Sequence, residues 1–185
     1  PGGNLHRNIL CGRHPEYYSE DPILTGTLMA YQARGLEENG VIATYKHLIA
    51  NNMEFERKSA HGIIDENTLR DLYLRVFDKA FSLYKPGCVM TSYNPVNGIY
   101  PCENSALLND LLRGEWGFDG FVMTDWGSYD TADSIRSVCA GTNLLTPGSK
   151  KHFRMILKAV KRNEISKAAL QHSVKQIVKV LVRCI

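Results

Sequence analysis

Apolar positions along the chain fall into two recurring arrangements: series spaced three and four residues apart, and short blocks that are apolar throughout. The first marks a helix with one buried face and the second a buried strand. Asp21 with Pro22 supplies a cap and a first helical position, which predicts a helix running to Gly40. Val41 to Tyr45 follows as a short strand. A second helix opens at Asp65 or Asn67. Leu69, Leu72, Tyr73, Val76, Phe77, Ala80 and Phe81 form its buried face, and Lys85-Pro86-Gly87 stops it. Cys88 to Ser92 is the next strand. Asn104 caps a helix carrying Leu107, Leu108, Leu111 and Leu112, and Gly117 to Gly120 turns the chain into a strand from Phe121 to Thr124. A short helix from about Asp130 to Cys139 and a strand from Thr142 to Thr146 come next. Two helices close the chain, Lys150 to Arg162 and Ser166 to Arg183. The second carries Leu170, Val174, Ile177, Val178 and Leu181 on one face.

Strands alternating with helices predict an α/β fold with a parallel sheet. Neither a GxGxxG nor a GxxxxGKS/T loop occurs, which counts against a nucleotide-binding doubly wound sheet. A closed (β/α)8 barrel needs eight strands and roughly 250 residues. On a TIM-type barrel reading, residues 1–185 form about the second half of one. The 185 residues are 44% hydrophobic, enough to bury a core and too apolar for a disordered chain. Polar groups interrupt every apolar run well before ~18 residues, so no membrane span is expected. The net charge of +3, from 22 basic and 19 acidic residues, is too balanced to point to nucleic acid. Its late excess at Lys150, Lys151, Arg154, Lys158, Lys161 and Arg162 reads as a solvated helix face. Cys11, Cys88, Cys102, Cys139 and Cys184 are odd in number and lack a CxxC pair, which argues against a zinc site or a disulfide framework. Unpaired thiols favour a reducing, cytoplasmic compartment. The chain starts at Pro1 without Met, so the lack of a targeting segment carries no weight.

The chemistry gathers after the strands: Lys46-His47, Tyr93-Asn94 and Asp125-Trp126. In parallel α/β folds that rim is where ligands bind. Asp125, one step past a hydrophobic strand, suits a nucleophile kept ionised by hydrogen bonds and nearby cations, or the cap of the next helix. Trp126 offers a ring face to sugar C–H edges or packs into the core. Lys46 and His47 suit adjacent hydroxyls. Read alone, Lys46 equally suits a Schiff-base lyase and His47 a structural histidine. Tyr93 reads as a donor to a carboxylate or a substrate oxygen, or as a buried tyrosine satisfied by backbone. Arg13, in Gly12-Arg13-His14-Pro15, is a fork for a hydroxyl pair or a surface arginine. No metal-ligand spacing such as HExxH occurs, and neither metal nor cofactor is expected.

Four segments together resemble glycoside hydrolase family 3. Gly12-Arg13-His14-Pro15-Glu16-Tyr17-Tyr18-Ser19-Glu20-Asp21-Pro22 is similar to its GR-x-x-E-x-(Y/F)-SEDP signature. Lys46-His47-Leu48 with Asn51-Asn52 and Arg57 resembles its KHF-x-x-NN-x-x-x-x-R segment. Ser92-Tyr93-Asn94-Pro95-Val96-Asn97-Gly98 matches SYN-x-x-NG, and Gly117 through Trp126 resembles the nucleophile segment ending in DW. The four stand in the expected order across nearly the whole chain. Leu48 replaces the usual Phe, and Asn143 and Thr146 stand where Asp and Met are common.

The resemblance implies a partial family 3 barrel domain over residues 1–185, lacking its first strands and a second, sandwich-like domain. It implies a retaining β-glycosidase that removes terminal nonreducing β-D-glucosyl residues, with Asp125 as the nucleophile. Arg13, Lys46, His47, Tyr93 and Trp126 map onto sugar-binding positions. A β-glucoside or oligosaccharide is the implied substrate. The lack of KHxPGHG separates the chain from the N-acetylglucosaminidase branch and leaves β-glucosidase or β-xylosidase types. The acid/base usually comes from the second domain or a variable loop, and Glu54, Glu56 and Asp130 carry no motif that marks them for it. A further sugar-gripping Asp belongs upstream of this segment. The competing class is a noncatalytic sugar-binding or structural fragment.

Overall fold

The computed structural model describes residues 1–184, apart from the Cys184 side chain. Its centre is a parallel sheet of β1 (Thr44–Leu48), β2 (Cys88–Thr91) and β3 (Phe121–Met123), hydrogen-bonded in that order. Each strand pairs with the next in sequence through a helical crossover. Such consecutive order is what a barrel wall has, whereas a doubly wound sheet reverses direction at a switch point. Single backbone pairings extend the sheet at both edges. Lys46 N–H donates to Pro1 O (3.1 Å), and Thr124 N–H donates to Leu144 O (3.0 Å).

The first strand lies three residues later than the hydrophobic run predicts, at Thr44–Leu48 rather than Val41 to Tyr45. Polar Lys46 and His47 are therefore inside the sheet, because side-chain partners replace the water they would otherwise need. The pairing with β2 slips between Tyr45 and Leu48. In a regular strand neighbouring side chains point to opposite faces; the slip re-aims them.

Helix α1 (Pro22–Glu37) starts where expected, with the Asp21 carboxylate accepting from Ile23 and Leu24 N–H. It lies close against the crossover from β1 to β2 at Gly26, where a Cβ would sit 2.4 Å from Val76 O. That crossover comprises α2 (Glu66–Thr68), a π-helical stretch Leu69–Leu74 and α3 (Arg75–Leu83). The wider turns shift the phase, so Leu74 is buried where the three-four spacing predicts Leu72, which is exposed. Leu107, Leu108, Leu111 and Leu112 are buried on a π-helix, Ala106–Glu115, and Asn104 Oδ1 accepts from Leu107 N–H.

Phe81 organises the core, its ring meeting Tyr45, Trp116 and Phe118 at 5.2, 5.3 and 5.7 Å between centroids. Gly120 opens β3 because a Cβ there would lie 2.2 Å from Gly87 O.

Beyond β3 the expected strand Thr142 to Thr146 is reduced to a single bridge at Leu144. The Asn143 side chain, not a strand carbonyl, takes the Val122 N–H (2.7 Å). The helix expected from Asp130 is split into a 3-10 turn, Ser128–Asp130, and α4 (Ser134–Cys139), which Asp133 caps. Helices α5 (Lys150–Lys161) and α6 (Lys167–Leu181) follow, with the six basic residues from Lys150 to Arg162 exposed. On α6 the buried face is Ser173 and Val180 with Ile177 packed beside them, leaving the predicted stripe of Val174, Val178 and Leu181 exposed. Val180 reaches the Gly87 backbone and Ser173 bonds Asn143, and these contacts set the rotation of the helix. Among the described residues no helix is long and apolar enough to cross a membrane. Cys11, Cys88, Cys102 and Cys139 are free thiols, and the Cys184 side chain lies outside the described part.

Candidate active site

Asp125 leaves the sheet just past β3 and is 9% exposed. The chain turns sharply after it because Gly127 adopts φ 78°, a left-handed conformation that costs glycine little. Trp126 N–H donates to Asp125 Oδ1 (2.6 Å), and Oδ2 faces His47 Nε2 at 3.5 Å. One carboxylate oxygen is thereby fixed by backbone while the other points at the site.

His47 is buried and held on all sides. Its N–H donates to Asn4 Oδ1 (3.0 Å) and its carbonyl accepts from Asn4 Nδ2 (2.9 Å). The Tyr17 hydroxyl, which accepts from Asn51, stands 3.2 Å from Nδ1. Arg13 Nη2 approaches Nε2 to 3.2 Å. Burial first, and then the charges of Lys46 and Arg13, push the imidazole pKa down to about 3, so the ring is neutral at physiological pH.

A chain of alternating charges flanks this pair. Glu16 bonds Arg13 Nε and accepts from Lys46 Nζ (2.9 Å). Glu54 accepts from Arg13 Nη1 (3.3 Å) and Arg57 Nη1 (2.6 Å). Burial works against the Glu16 charge, but the bonds from Arg13 and Lys46 outweigh it and hold the carboxyl down to about 2. Arg57 continues the chain by stacking 4.6 Å over the Tyr93 ring. Tyr93, just beyond β2, donates to Trp126 O (2.5 Å). Burial, and then the Asp125 charge beside it, push its phenol up to about 12.

The structure therefore brings Asp125, His47, Arg13 and Tyr93 together. Lys46 reaches Glu16, and the Trp126 ring stands at the rim, 67% exposed. A Schiff-base lysine needs a desolvated or cation-flanked amine, and Lys46 instead sits on a carboxylate. Glu54 has both oxygens engaged by arginines, Asp130 pairs with Lys58 (2.7 Å), and Glu56 is exposed. None of the three is poised as a general acid. Asn4, Glu16, Tyr17 and Arg57 are contributors that strand-end reasoning passes over. The spacing of Arg13 and Glu16, one helical turn apart, was the available signal for the second. Among the described residues no group of three or more His, Cys, Asp or Glu side chains could hold a metal ion.

Residues 4–180 match the family model described as glycosyl hydrolase family 3 N terminal domain. The chain belongs to glycosyl hydrolase family 3. Its fold is accordingly that family's parallel α/β barrel type, present here in part. Thermostable beta-glucosidase B of Acetivibrio thermocellus is 41% identical over 182 residues, 98% of this chain and 24% of the relative. A beta-glucosidase of Rhizobium radiobacter is 41% identical over 185 residues, 99% of this chain and 22% of the relative. The structure of beta-glucosidase 3B from Thermotoga neapolitana in complex with glucose superposes with a TM-score of 0.94 at 41% identity, covering 99% of this chain and 26% of that one. The chain thus spans about a quarter of the length of these family 3 relatives.

Proposed function

We propose that residues 1–185 are the later half of the barrel domain of a retaining β-glycosidase, with Asp125 as its nucleophile. The observation that carries the reading is the Asp125 carboxylate: buried, with Oδ1 held by Trp126 N–H and Oδ2 turned to His47. The substrate is a terminal nonreducing β-D-glucosyl residue, as the names of the family 3 relatives suggest.

In this reading Asp125 Oδ2 attacks the anomeric carbon and forms an ester as the glycosidic C–O bond breaks. A second carboxyl, about 5–5.5 Å away, protonates the departing oxygen and then deprotonates the water that cleaves the ester. Two inversions give net retention. Arg13, Lys46 and the neutral His47 bind sugar hydroxyls, Tyr93 shapes the floor, and the exposed Trp126 ring lies against the sugar. The carboxylates beside the site are engaged by cations, so the acid/base belongs to another part of the parent protein. The remaining strands complete the sheet beyond Pro1 and Leu144.

The test treats the complete parent protein with a 2-deoxy-2-fluoro-β-glucosyl inactivator, which slows ester hydrolysis. The expected result is a mass increment on the peptide holding Thr124-Asp125-Trp126, absent in Asp125→Asn. A protein that hydrolyses β-glucosides without labelling there refutes the nucleophile assignment. A wild type that binds glucose but never hydrolyses is the sugar-binding fragment instead.

A further inference from the structure

We propose that Thr146 is a positioning residue for Asp125, gripping the chain on both sides of the Asp125-Trp126 turn. The proposal rests on the reading of Asp125 as nucleophile. Thr124, 1% exposed, is the last residue before Asp125. Its hydroxyl accepts from Thr146 N–H (2.9 Å), and its carbonyl accepts from the Thr146 hydroxyl (2.5 Å). The two hydroxyls are 3.3 Å apart. On the far side of the turn, Gly127 N–H donates to Thr146 O (2.8 Å). One residue therefore uses its N–H, hydroxyl and carbonyl to fix the backbone before and after the nucleophile.

The hydroxyl is the informative part. The backbone bonds of Thr146 are open to any residue except proline, but the bond to Thr124 O needs a side-chain donor. The family 3 pattern commonly has Met here, which has no donor. Removing the hydroxyl leaves the Thr124 carbonyl without that partner in a buried place, and the carbonyl can regain one only by turning toward water. Any such rotation moves the next residue, Asp125. Small misplacements of a reacting group are costly because attack needs aligned atoms at near-contact distance. Substrate affinity is far less sensitive, since Thr146 touches none of the Arg13, Lys46 or His47 side chains in the hydrogen-bond network.

The experiment compares the complete parent protein with its Thr146→Val and Thr146→Ser variants. An aryl β-glucoside reports glycosylation, and glucose reports binding. Loss of one positioning hydrogen bond predicts a kcat/KM roughly tenfold lower in the valine variant. Glucose affinity stays within about twofold, and serine restores the rate because it keeps the hydroxyl. Equal rates in valine and wild type overturn the proposal. So does a loss that serine fails to restore, or one matched by lost glucose affinity. Amide exchange gives a readout independent of turnover. Faster exchange at Gly127 in the valine variant alone supports the grip, and unchanged exchange overturns it. A wild type without hydrolysis refutes the β-glycosidase reading instead, and the exchange result still decides the grip.

Discussion

Arg113 is a half-buried guanidinium whose hydrogen bonds go to Gly120 O (3.0 Å) and Asn143 Oδ1 (2.9 Å) rather than to a carboxylate. Burial lowers its pKa, and the Asp119 charge only partly opposes this. Asn143 Oδ1 also accepts the Val122 N–H at 2.7 Å, and its Nδ2 donates to Ser173 Oγ at 3.1 Å. Asn143→Asp keeps the shape and puts a charge between a cation and an amide. The Val122 bond, of about 1 kcal/mol between neutral groups, becomes a charge-assisted bond of about 1.5–3 kcal/mol, and the Arg113 bond, already charge-assisted, becomes an ion pair. The Ser173 hydroxyl can turn to donate to the second oxygen. Desolvating the carboxylate takes back part of the gain, leaving about 1–2 kcal/mol. At about 2–4 °C per kcal/mol for 150–250 residues, and less in a larger protein, the unfolding temperature rises by at most about 2–8 °C. The new carboxyl has a folded pKa below its unfolded value, so the gain is present above about pH 4 and shrinks as pH falls through the folded pKa. Thermal unfolding of the complete protein, followed by circular dichroism at pH 7 and pH 3, measures both effects. An equal or lower midpoint at pH 7 refutes the reasoning, as does a gain undiminished at pH 3.

Glu54→Gln removes the charge between Arg13 and Arg57 and, on the proposed reading of Arg13 as a sugar-binding residue, is expected to raise KM for an aryl β-glucoside about tenfold with kcat little changed. An unchanged KM counts against that role. Glu16, held down to about 2, adds stability above its unfolded value and loses it as pH falls from about 4.5 toward 2. Partial exposure screens the effect to about 1 kcal/mol. Acid unfolding of Glu16→Gln should be correspondingly less steep, and an identical acid limb contradicts the ion pairs. The His47 imidazole, pushed down to about 3, should show no NMR titration between pH 5 and 8; a midpoint near 6.5 would show it solvated. Phe81→Ala removes the ring shared by Tyr45, Trp116 and Phe118 and should cost about 3–5 kcal/mol in denaturant unfolding. A cost under 1 kcal/mol would mean the core closes over the gap.

What the chain discloses by pattern depends on how local the cause is. Helix starts are legible where the cap lies beside the helix, as at Asp21 and Ser166. The first strand is misplaced because Lys46 and His47 look too polar for a sheet, and their partners Asn4 and Glu16 lie 43 and 30 residues away. The face of α6 is turned for a similar reason: Gly87 and Asn143, both remote in sequence, fix its rotation. At the site, the residues just past the strands are legible from the topology of parallel sheets. Glu54 is different. Its place near Asn51-Asn52 is visible, but its pairing with two arginines depends on a fold of the loop that no periodicity encodes.

The alternating chain of Lys46, Glu16, Arg13, Glu54 and Arg57 has a consequence for how a ligand arrives. With Asp125 it comprises three basic and three acidic side chains around a neutral imidazole. Such a set has strong fields at contact and almost none a Debye length away, about 8 Å in physiological salt. It offers little long-range pull on an anion and no reason to repel an uncharged sugar. Encounter with a neutral glucoside should therefore run at an unassisted diffusional rate, and raising the ionic strength should leave that rate where it was.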